Sequence, residues 1–127
     1  MTRAILEAIA FRVYQVFSVV QEEAPFRLNY IRCVGGVSGN EFICQMIADL
    51  CEKPLSTMVQ EEVGSLGIMF LAGIGAGIWN NVEDIRHLVS IKHTYIPSAK
   101  GREKLVKDYT NWKIAVDRSL NWYKECE

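Results

Sequence analysis

The sequence has no surplus of basic residues. It contains fourteen Lys and Arg against fifteen Asp and Glu, which leaves a formal net charge of -1 over 127 residues. Proteins that bind nucleic acid neutralise phosphates with clustered Lys and Arg, so no nucleic-acid partner is expected. The basic residues between positions 86 and 107 could attract a phosphate, but they are interspersed with carboxylates. That pattern is typical of a mixed solvated surface.

Metal-site patterns are also missing. The four cysteines are Cys33, Cys44, Cys51 and Cys126. They form no CxxC pair of the kind that binds structural zinc, and they are too few for a disulfide scaffold. We interpret them as reduced thiols of a cytoplasmic protein, three of them buried. His87 and His93 have no cysteine or carboxylate at ligand spacing, so no metal ion is expected.

The sequence shows no secretory signal, internal repeat or linker. Glu7 and Arg12 interrupt the apolar residues of the N-terminus, and no small-residue cleavage site follows. The uncharged stretch over residues 63–82 has the length of a membrane span. Its glycines and asparagines, and the absence of flanking Lys or Arg clusters, favour a buried core helix instead. We therefore expect one cytoplasmic domain that does not enter a membrane.

Hydrophobic spacing predicts helices and strands in alternation. Helices are predicted over residues 2–23, from a capping box between Ser38 and Glu41 to about 52, and over 64–79, 82–89 and 102–124. Strands are predicted over residues 28–34, 55–59 and 91–96. The helix over 64–79 has almost no polar face, so we expect it to be buried. The alternation predicts an α/β fold in which helices cover a small sheet.

The apolar spacing also predicts which helix faces meet the core. In the first helix the inward stripe is expected to be Ile5, Ile9, Val13, Val16, Phe17 and Val20. In the second helix it is expected to be Phe42, Ile43, Met46, Ile47 and Leu50. Asp49 and Glu52 lie mostly opposite that stripe, so we interpret them as surface carboxylates.

The junction between the first strand and the second helix is the most informative segment for function. Gly35 and Gly36 stand at the carboxyl end of the predicted strand, where glycines let a ligand approach the backbone. The helix N-terminus that follows offers unpaired amides to a phosphate. The segment is neither GxGxxG nor a P-loop, so an ordinary turn is the alternative. Asn40 could bind a base or be a solvated polar residue, and Ser38 lacks a GxSxG context.

Several blocks of the sequence resemble one family. The blocks are Gly35-Gly36-x-x-x-Asn40-x-Phe42, Gln45-x-x-Ala48-Asp49-Leu50 and Leu66-Gly67-x-x-x-Leu71-Ala72-Gly73-x-x-x-Gly77-x-Trp79. In this order they resemble the C-terminal domain of the FGGY carbohydrate kinases, the glycerol kinases in particular. The opening residues 4–11 and the closing residues 111–119 resemble the same family, so the similarity runs nearly from end to end.

The resemblance implies a fold and a function. The fold would be a partial actin-like, ribonuclease H-like α/β domain, with helices packed on a small mixed sheet. The activity would be ATP-dependent phosphorylation of a polyol such as glycerol, with ATP or ADP and magnesium. By resemblance, Gly35, Gly36 and Asn40 would bind the nucleotide. The catalytic aspartate and the polyol pocket belong to family sequence outside residues 1–127, so this segment would supply the adenine-side half of the site and be inactive alone.

Three residues depart from the family pattern. Val34 stands where the family usually has Asp, and Ile68 and Met69 stand where it usually has small residues. These departures favour an alternative, a non-catalytic interaction module that binds a partner or a kinase subunit. An incomplete α/β domain also exposes apolar surface and strand edges. We therefore expect the chain to self-associate.

Overall fold

The computed structural model describes residues 1–60 and 62–120 of the protein. In this part of the chain the helices are α1 (Thr2–Glu23), α2 (Glu41–Cys51), α3 (Val63–Gly75) and α4 (Arg102–Ser119). The strands are β1 (Ile31–Cys33), β2 (Leu55–Met58) and β3 (Ile91–Tyr95). Short 3-10 helices lie at Gly36–Gly39 and Val82–Leu88. The order of the elements is the predicted one, and residues 121–124 of the last predicted helix lie outside the described residues.

The three strands form one mixed sheet in the order β1-β2-β3. β1 pairs with β2 in parallel, with Ile31 opposite Leu55, and β2 pairs with β3 antiparallel, with Leu55 opposite Tyr95. Parallel neighbours need a crossover connection, and α2 lies within it. The hydroxyl oxygens of Ser56 and Thr94 lie 3.0 Å apart across the antiparallel pair. The small mixed sheet expected from the sequence is therefore confirmed.

The core lies between the sheet and α1, with α2 in the middle. Cys44 and Leu50 of α2 and Leu55 of β2 are the largest fully buried side chains. α2 packs against α1 on one side and against β2 and β3 on the other. Full burial of one Leu side chain contributes about 1.5–3 kcal/mol, so these contacts hold α2 firmly on the sheet.

α1 turns a different face to the core from the one predicted. Ala10 and Phe11 are its buried residues, and Leu6, Tyr14 and Phe17 pack beside them. Phe17 is thus the one member of the predicted stripe that packs on the core. The other members are exposed: Ile5, Ile9, Val13, Val16 and Val20.

Aromatic residues of α4 account for the face that α1 buries. The ring centroid of Phe11 lies 5.8 Å from that of Tyr109 and 5.9 Å from that of Trp112. The rings of Tyr14 and Tyr109 meet edge to face at 4.9 Å. Aromatic side chains bury more area than Val or Ile, and paired rings gain about 0.5–1.5 kcal/mol beyond that area. The face with the aromatic residues is therefore the better partner for α4.

α3 is exposed, and the prediction that it is buried is wrong. Its buried residues are Phe70 and Gly73, whereas Ile68 is 71% exposed and Leu71 is 72% exposed. The helix also ends at Gly75, before the predicted end at residue 79. Phe70 packs on Trp79, with ring centroids 5.8 Å apart. A narrow stripe of α3 thus makes its contacts, and its wide apolar surface faces outward.

Candidate nucleotide-binding site

The chain turns sharply where β1 ends. Gly35 has a φ of +84°, a left-handed conformation that L side chains rarely adopt. The Ser38 amide donates a hydrogen bond to the Gly35 carbonyl oxygen at 3.0 Å, and the Ser38 hydroxyl donates to the same oxygen at 2.6 Å. We call residues 35–39 the glycine segment. Its shape is maintained by the Ser38 bonds to Gly35.

Asn40 caps α2, so the prediction of a capping box at Ser38 is wrong. The Asn40 Oδ1 accepts a hydrogen bond from the Ile43 amide at 3.1 Å, and Asn is among the preferred residues at this position. Ser38 precedes the helix by one short turn and uses its hydroxyl on Gly35. Because capping engages the Asn40 oxygen, the side-chain NH₂ is the group that can donate to a ligand.

The glycine segment borders open space. A Cβ atom added at Gly35, Gly36 or Gly39 would meet no atom within 4 Å. The N-terminus of α2 follows directly, and its amides and dipole favour a negatively charged group there. The structure therefore brings Gly35, Gly36 and Asn40 into one accessible turn. This arrangement is suited to close backbone contact with a phosphate-bearing ligand.

Two further residues border the glycine segment. A cavity of about 60 Å³ lies beside it, lined also by Thr57 and Met58 of β2 and Lys92 of β3. Sequence reasoning missed Thr57, since β2 carries no motif, and it assigned Lys92 to a mixed solvated surface. The pairing of β2 with β3 brings both residues to this end of the sheet. Lys92 thus places a positive charge at the cavity.

Two cysteines flank the same segment. Cys33 ends β1 and is partly exposed, whereas Cys44 is fully buried. The Cys44 Sγ donates to the Ser38 carbonyl oxygen at 3.6 Å. Burial raises the pKa of Cys44 to about 11, and the neighbouring Cys33 thiol raises it further in the same direction. Cys51 is buried and Cys126 lies outside the described residues, so the expectation of three buried thiols is wrong for Cys33.

Asp49 is buried, and its interpretation as a surface carboxylate is wrong. Its Oδ1 accepts hydrogen bonds from the Gln45 side chain at 2.8 Å and from the Ser98 amide at 2.8 Å. Gln45 also donates to the Ile96 carbonyl oxygen at 2.9 Å. These bonds join α2 to the chain between β3 and α4. The second block of the sequence resemblance therefore contains a structural contact.

The described residues contain no group of three or more His, Cys, Asp or Glu side chains that could hold a metal ion. The cavity beside the glycine segment is lined by no carboxylate. Mg²⁺ prefers carboxylate and phosphate oxygens. The residues at the glycine segment therefore do not by themselves fit a magnesium ion.

Comparison with known proteins identifies the family. The profile of the C-terminal domain of the FGGY family of carbohydrate kinases matches residues 1–76. The chain belongs to this family. The matched region contains α1, the sheet strands β1 and β2, the glycine segment and α3. The resemblance read from the sequence blocks is thereby confirmed.

Glycerol kinases are among the similar FGGY proteins. Glycerol kinase of Haemophilus influenzae is 37% identical over 125 residues, which is 98% of this chain and 25% of that protein. Glycerol kinase 5 of Bos taurus is 37% identical over 124 residues, which is 98% of this chain and 23% of that protein. The chain thus spans about a quarter of the length of these relatives.

Solved structures of FGGY kinases share the fold. Plasmodium falciparum glycerol kinase with ADP superposes with a TM-score of 0.74 and 28% identity, over 93% of this chain and 24% of that one. Ligand-bound xylulose kinase from Lactobacillus acidophilus gives a TM-score of 0.79 at 23% identity, over 97% of this chain and 25% of that one. The second likeness concerns the fold alone. Together they support the partial actin-like assignment.

The residues that depart from the FGGY pattern occupy two different places. Val34 is 46% exposed and lines a cavity of about 250 Å³ with Leu66 and Phe70. Ile68 and Met69 are exposed on α3 and do not line that cavity. Val34 therefore borders the glycine segment directly. Ile68 and Met69 contribute instead to the outer surface of α3.

Proposed function

We propose that this chain is the C-terminal segment of a glycerol kinase-like enzyme and supplies the adenine-side half of its ATP site. The observation that carries the proposal is the glycine segment, which is open to solvent and stands at the N-terminus of α2. It lies in a chain that belongs to the FGGY family and is similar to a glycerol kinase whose structure contains ADP.

Each residue would have a distinct role. The Gly36 amide would donate to a phosphate, and the positive φ of Gly35 would allow the phosphate to approach. The Asn40 NH₂ would donate to the nucleotide while its oxygen continues to cap α2. Lys92, which lines the adjacent cavity, would offset part of the phosphate charge. Magnesium, which the family implies, has no assigned ligand among these residues.

The chain alone is expected to have no kinase activity. Phosphoryl transfer depends on holding the γ-phosphate, the metal ion and the acceptor hydroxyl in line, with groups from several parts of an enzyme. The chain spans about a quarter of its kinase relatives, and the polyol would be bound by the remaining three quarters of such an enzyme. We also expect the protein to be cytoplasmic.

The first test is an amide NMR spectrum of the chain with and without ADP. We expect the amide signals of Gly35, Gly36 and Asn40 to shift on addition of ADP. The matched variant is Asn40→Asp, which keeps the capping oxygen but removes the NH₂ donor and adds a negative charge. It should weaken ADP binding about tenfold or more, since losing a charge-matched hydrogen bond costs about 1.5–3 kcal/mol.

The same experiment separates this proposal from the alternative. Asn40→Asp should unfold at the same urea concentration as the wild type within about 0.5 kcal/mol, because Asp is an equally good capping residue. A dispersed spectrum that ADP leaves unchanged at the glycine segment would contradict nucleotide binding. That outcome would direct attention to a non-catalytic interaction module.

A further inference from the structure

Two thiols meet beneath the glycine segment. Cys33 is the last residue of β1, two positions before Gly35, and Cys44 lies in the first half of α2. The thiols are close enough for the Cys33 side chain to hydrogen bond with that of Cys44. Both are free thiols, and the neighbouring Cys51 is separately buried.

The same thiols contact the backbone of the glycine segment. The Cys44 Sγ donates to the Ser38 carbonyl oxygen at 3.6 Å. The Ser38 hydroxyl donates to the Gly35 carbonyl oxygen at 2.6 Å. A continuous set of contacts therefore runs from Cys44 through Ser38 to Gly35, which is joined to Cys33 through Val34. A change in the bonding of Cys44 acts directly on the turn.

We propose that Cys33 and Cys44 form a peroxide-sensitive dithiol, and that the disulfide between them weakens nucleotide binding at the glycine segment. The second part of the proposal rests on the proposed nucleotide site. The first part concerns only the two thiols. Hydrogen peroxide is the oxidant, and neither a metal ion nor a further protein is required.

The reaction proceeds in two steps. The Cys33 thiolate attacks one peroxide oxygen, so an S–O bond forms, the O–O bond breaks, and one water leaves with the thiol proton. The Cys44 sulfur then attacks the Cys33 sulfenic acid, so the S–S bond forms, the S–O bond breaks, and a second water leaves. The two thiols together lose two electrons and two protons. The peroxide is reduced to two water molecules.

The exposure of the two residues sets their order of reaction. Cys33 is partly exposed and can meet peroxide from solvent, whereas Cys44 is fully buried. Burial also raises the pKa of Cys44, which lowers its thiolate fraction. Cys33 is therefore the peroxide-reactive residue and Cys44 the resolving residue. Once Cys44 is in the disulfide, it no longer has a proton to donate to the Ser38 oxygen.

Proteolysis and mass spectrometry test the disulfide. Cleavage after glutamate separates Cys33 from Cys44, because Glu41 lies between them in the sequence. After peroxide treatment we expect the fragments 24–41 and 42–52 to be joined, and to separate on reduction with dithiothreitol. Fragment 42–52 also contains Cys51, so the matched control is Cys51→Ala, which should still form the cross-link. Cys33→Ser should abolish it.

Two results would overturn the disulfide. One is a Cys33 sulfinic acid with Cys44 still alkylated by iodoacetamide. The other is a cross-link that persists in Cys33→Ser or disappears in Cys51→Ala. Neither measurement uses a nucleotide, so both are independent of the proposed ATP site.

An ADP titration followed by amide NMR tests the link to the glycine segment. The reduced chain should bind ADP about fivefold or more tightly than the oxidised chain, and dithiothreitol should restore the original affinity. Equal affinity in both forms would overturn the regulatory part of the proposal. A reduced chain that shows no ADP response would overturn the nucleotide site, and the cross-link would then still be judged by the proteolysis result.

Discussion

At Gly73, a hydrogen atom in place of a side chain leaves room for the indole of Trp79. A Cβ atom at this position would lie 2.2 Å from Cζ3 and 2.4 Å from Cε3 of Trp79, which is far closer than atoms can approach. The same indole meets the ring of Phe70. Gly73 therefore has a packing role that the sequence spacing does not reveal.

We expect Gly73→Ala to destabilise the chain by about 1–3 kcal/mol, the usual cost of overpacking. The indole of Trp79 must leave Gly73, so its NMR resonance should also move. Gly67→Ala is the matched control, because a Cβ there meets no atom within 4 Å. It should be neutral or stabilising by up to about 1 kcal/mol, since Ala favours a helix over Gly. Equal urea unfolding curves for the two variants would contradict this role of Trp79.

The buried thiols predict a loss of stability at high pH. Burial raises the pKa of Cys51 from 9.0 to about 12. Since the unfolded chain ionises first, the stabilisation is intact below pH 9 and decreases as the pH rises towards 12, by up to about 1.4 kcal/mol per pH unit.

Urea unfolding below and above pH 9 measures this loss. The variant Cys51→Ala should lose less stability than the wild type over the same range. Parallel pH profiles for the two proteins would show that Cys51 does not contribute. Cys44 remains in both proteins and supplies the same background.

At the scale of the element, α1 carries two apolar faces. Phe11 is 4% exposed and packs against α4, whereas Val16 is 57% exposed on the opposite stripe. Helical spacing of apolar residues was sufficient to predict the helix, because both stripes recur at intervals of three and four. The spacing alone does not decide which stripe is buried.

A pair of variants tests the assignment of these faces. Phe11→Ala should destabilise the chain by about 3–5 kcal/mol, because it leaves a cavity in the core. Val16→Ser should change the free energy of unfolding by no more than about 0.5 kcal/mol, as is usual at the surface. The reverse order in chemical denaturation would mean that the predicted stripe is the buried one.

α3 ends where a glycine adopts a left-handed conformation. Gly77 has a φ of +77°, the Ile78 amide donates to the Gly73 carbonyl oxygen at 2.8 Å, and the Gly77 amide donates to that of Ile74 at 3.0 Å. This pair of hydrogen bonds is the usual glycine-terminated helix end. The sequence contains five glycines between residues 64 and 77. Periodicity could not tell which of them would end the helix.

At the scale of the whole molecule, unpaired surfaces predict self-association. The outward stripe of α1 and the outward residues of α3 are apolar, and β1 is an edge strand of the sheet. Such surfaces and edges promote association between chains. The chain spans about a quarter of its relatives, so these surfaces are where further parts of an FGGY domain would be expected to pack.

Light scattering on the purified chain should therefore show dimers or larger species. The double variant Val16→Glu and Leu71→Glu places charges on both exposed faces and should shift the protein towards the monomer. Neither position is in the core, so the urea midpoint should change little. A wild-type chain that remains a compact monomer at high concentration would contradict the prediction.

The family and the order of the elements could be predicted from the sequence alone. Both depend on local information: the spacing of apolar residues, the turn glycines, and blocks of residues in a fixed order. The candidate site was partly predictable for the same reason, because Gly35, Gly36 and Asn40 are neighbours in the sequence. Their assignment to a nucleotide came from the family resemblance and remains a proposal.

The tertiary structure decided everything that depends on residues distant in the sequence. Lys92 meets the glycine segment through the pairing of β3 with β2, and Asp49 is buried because the Ser98 amide reaches it. α1 buries its aromatic stripe because Tyr109 and Trp112 of α4 lie there. Periodicity establishes that a helix has an apolar face. Which face is buried depends on the partner that the folded chain brings to it.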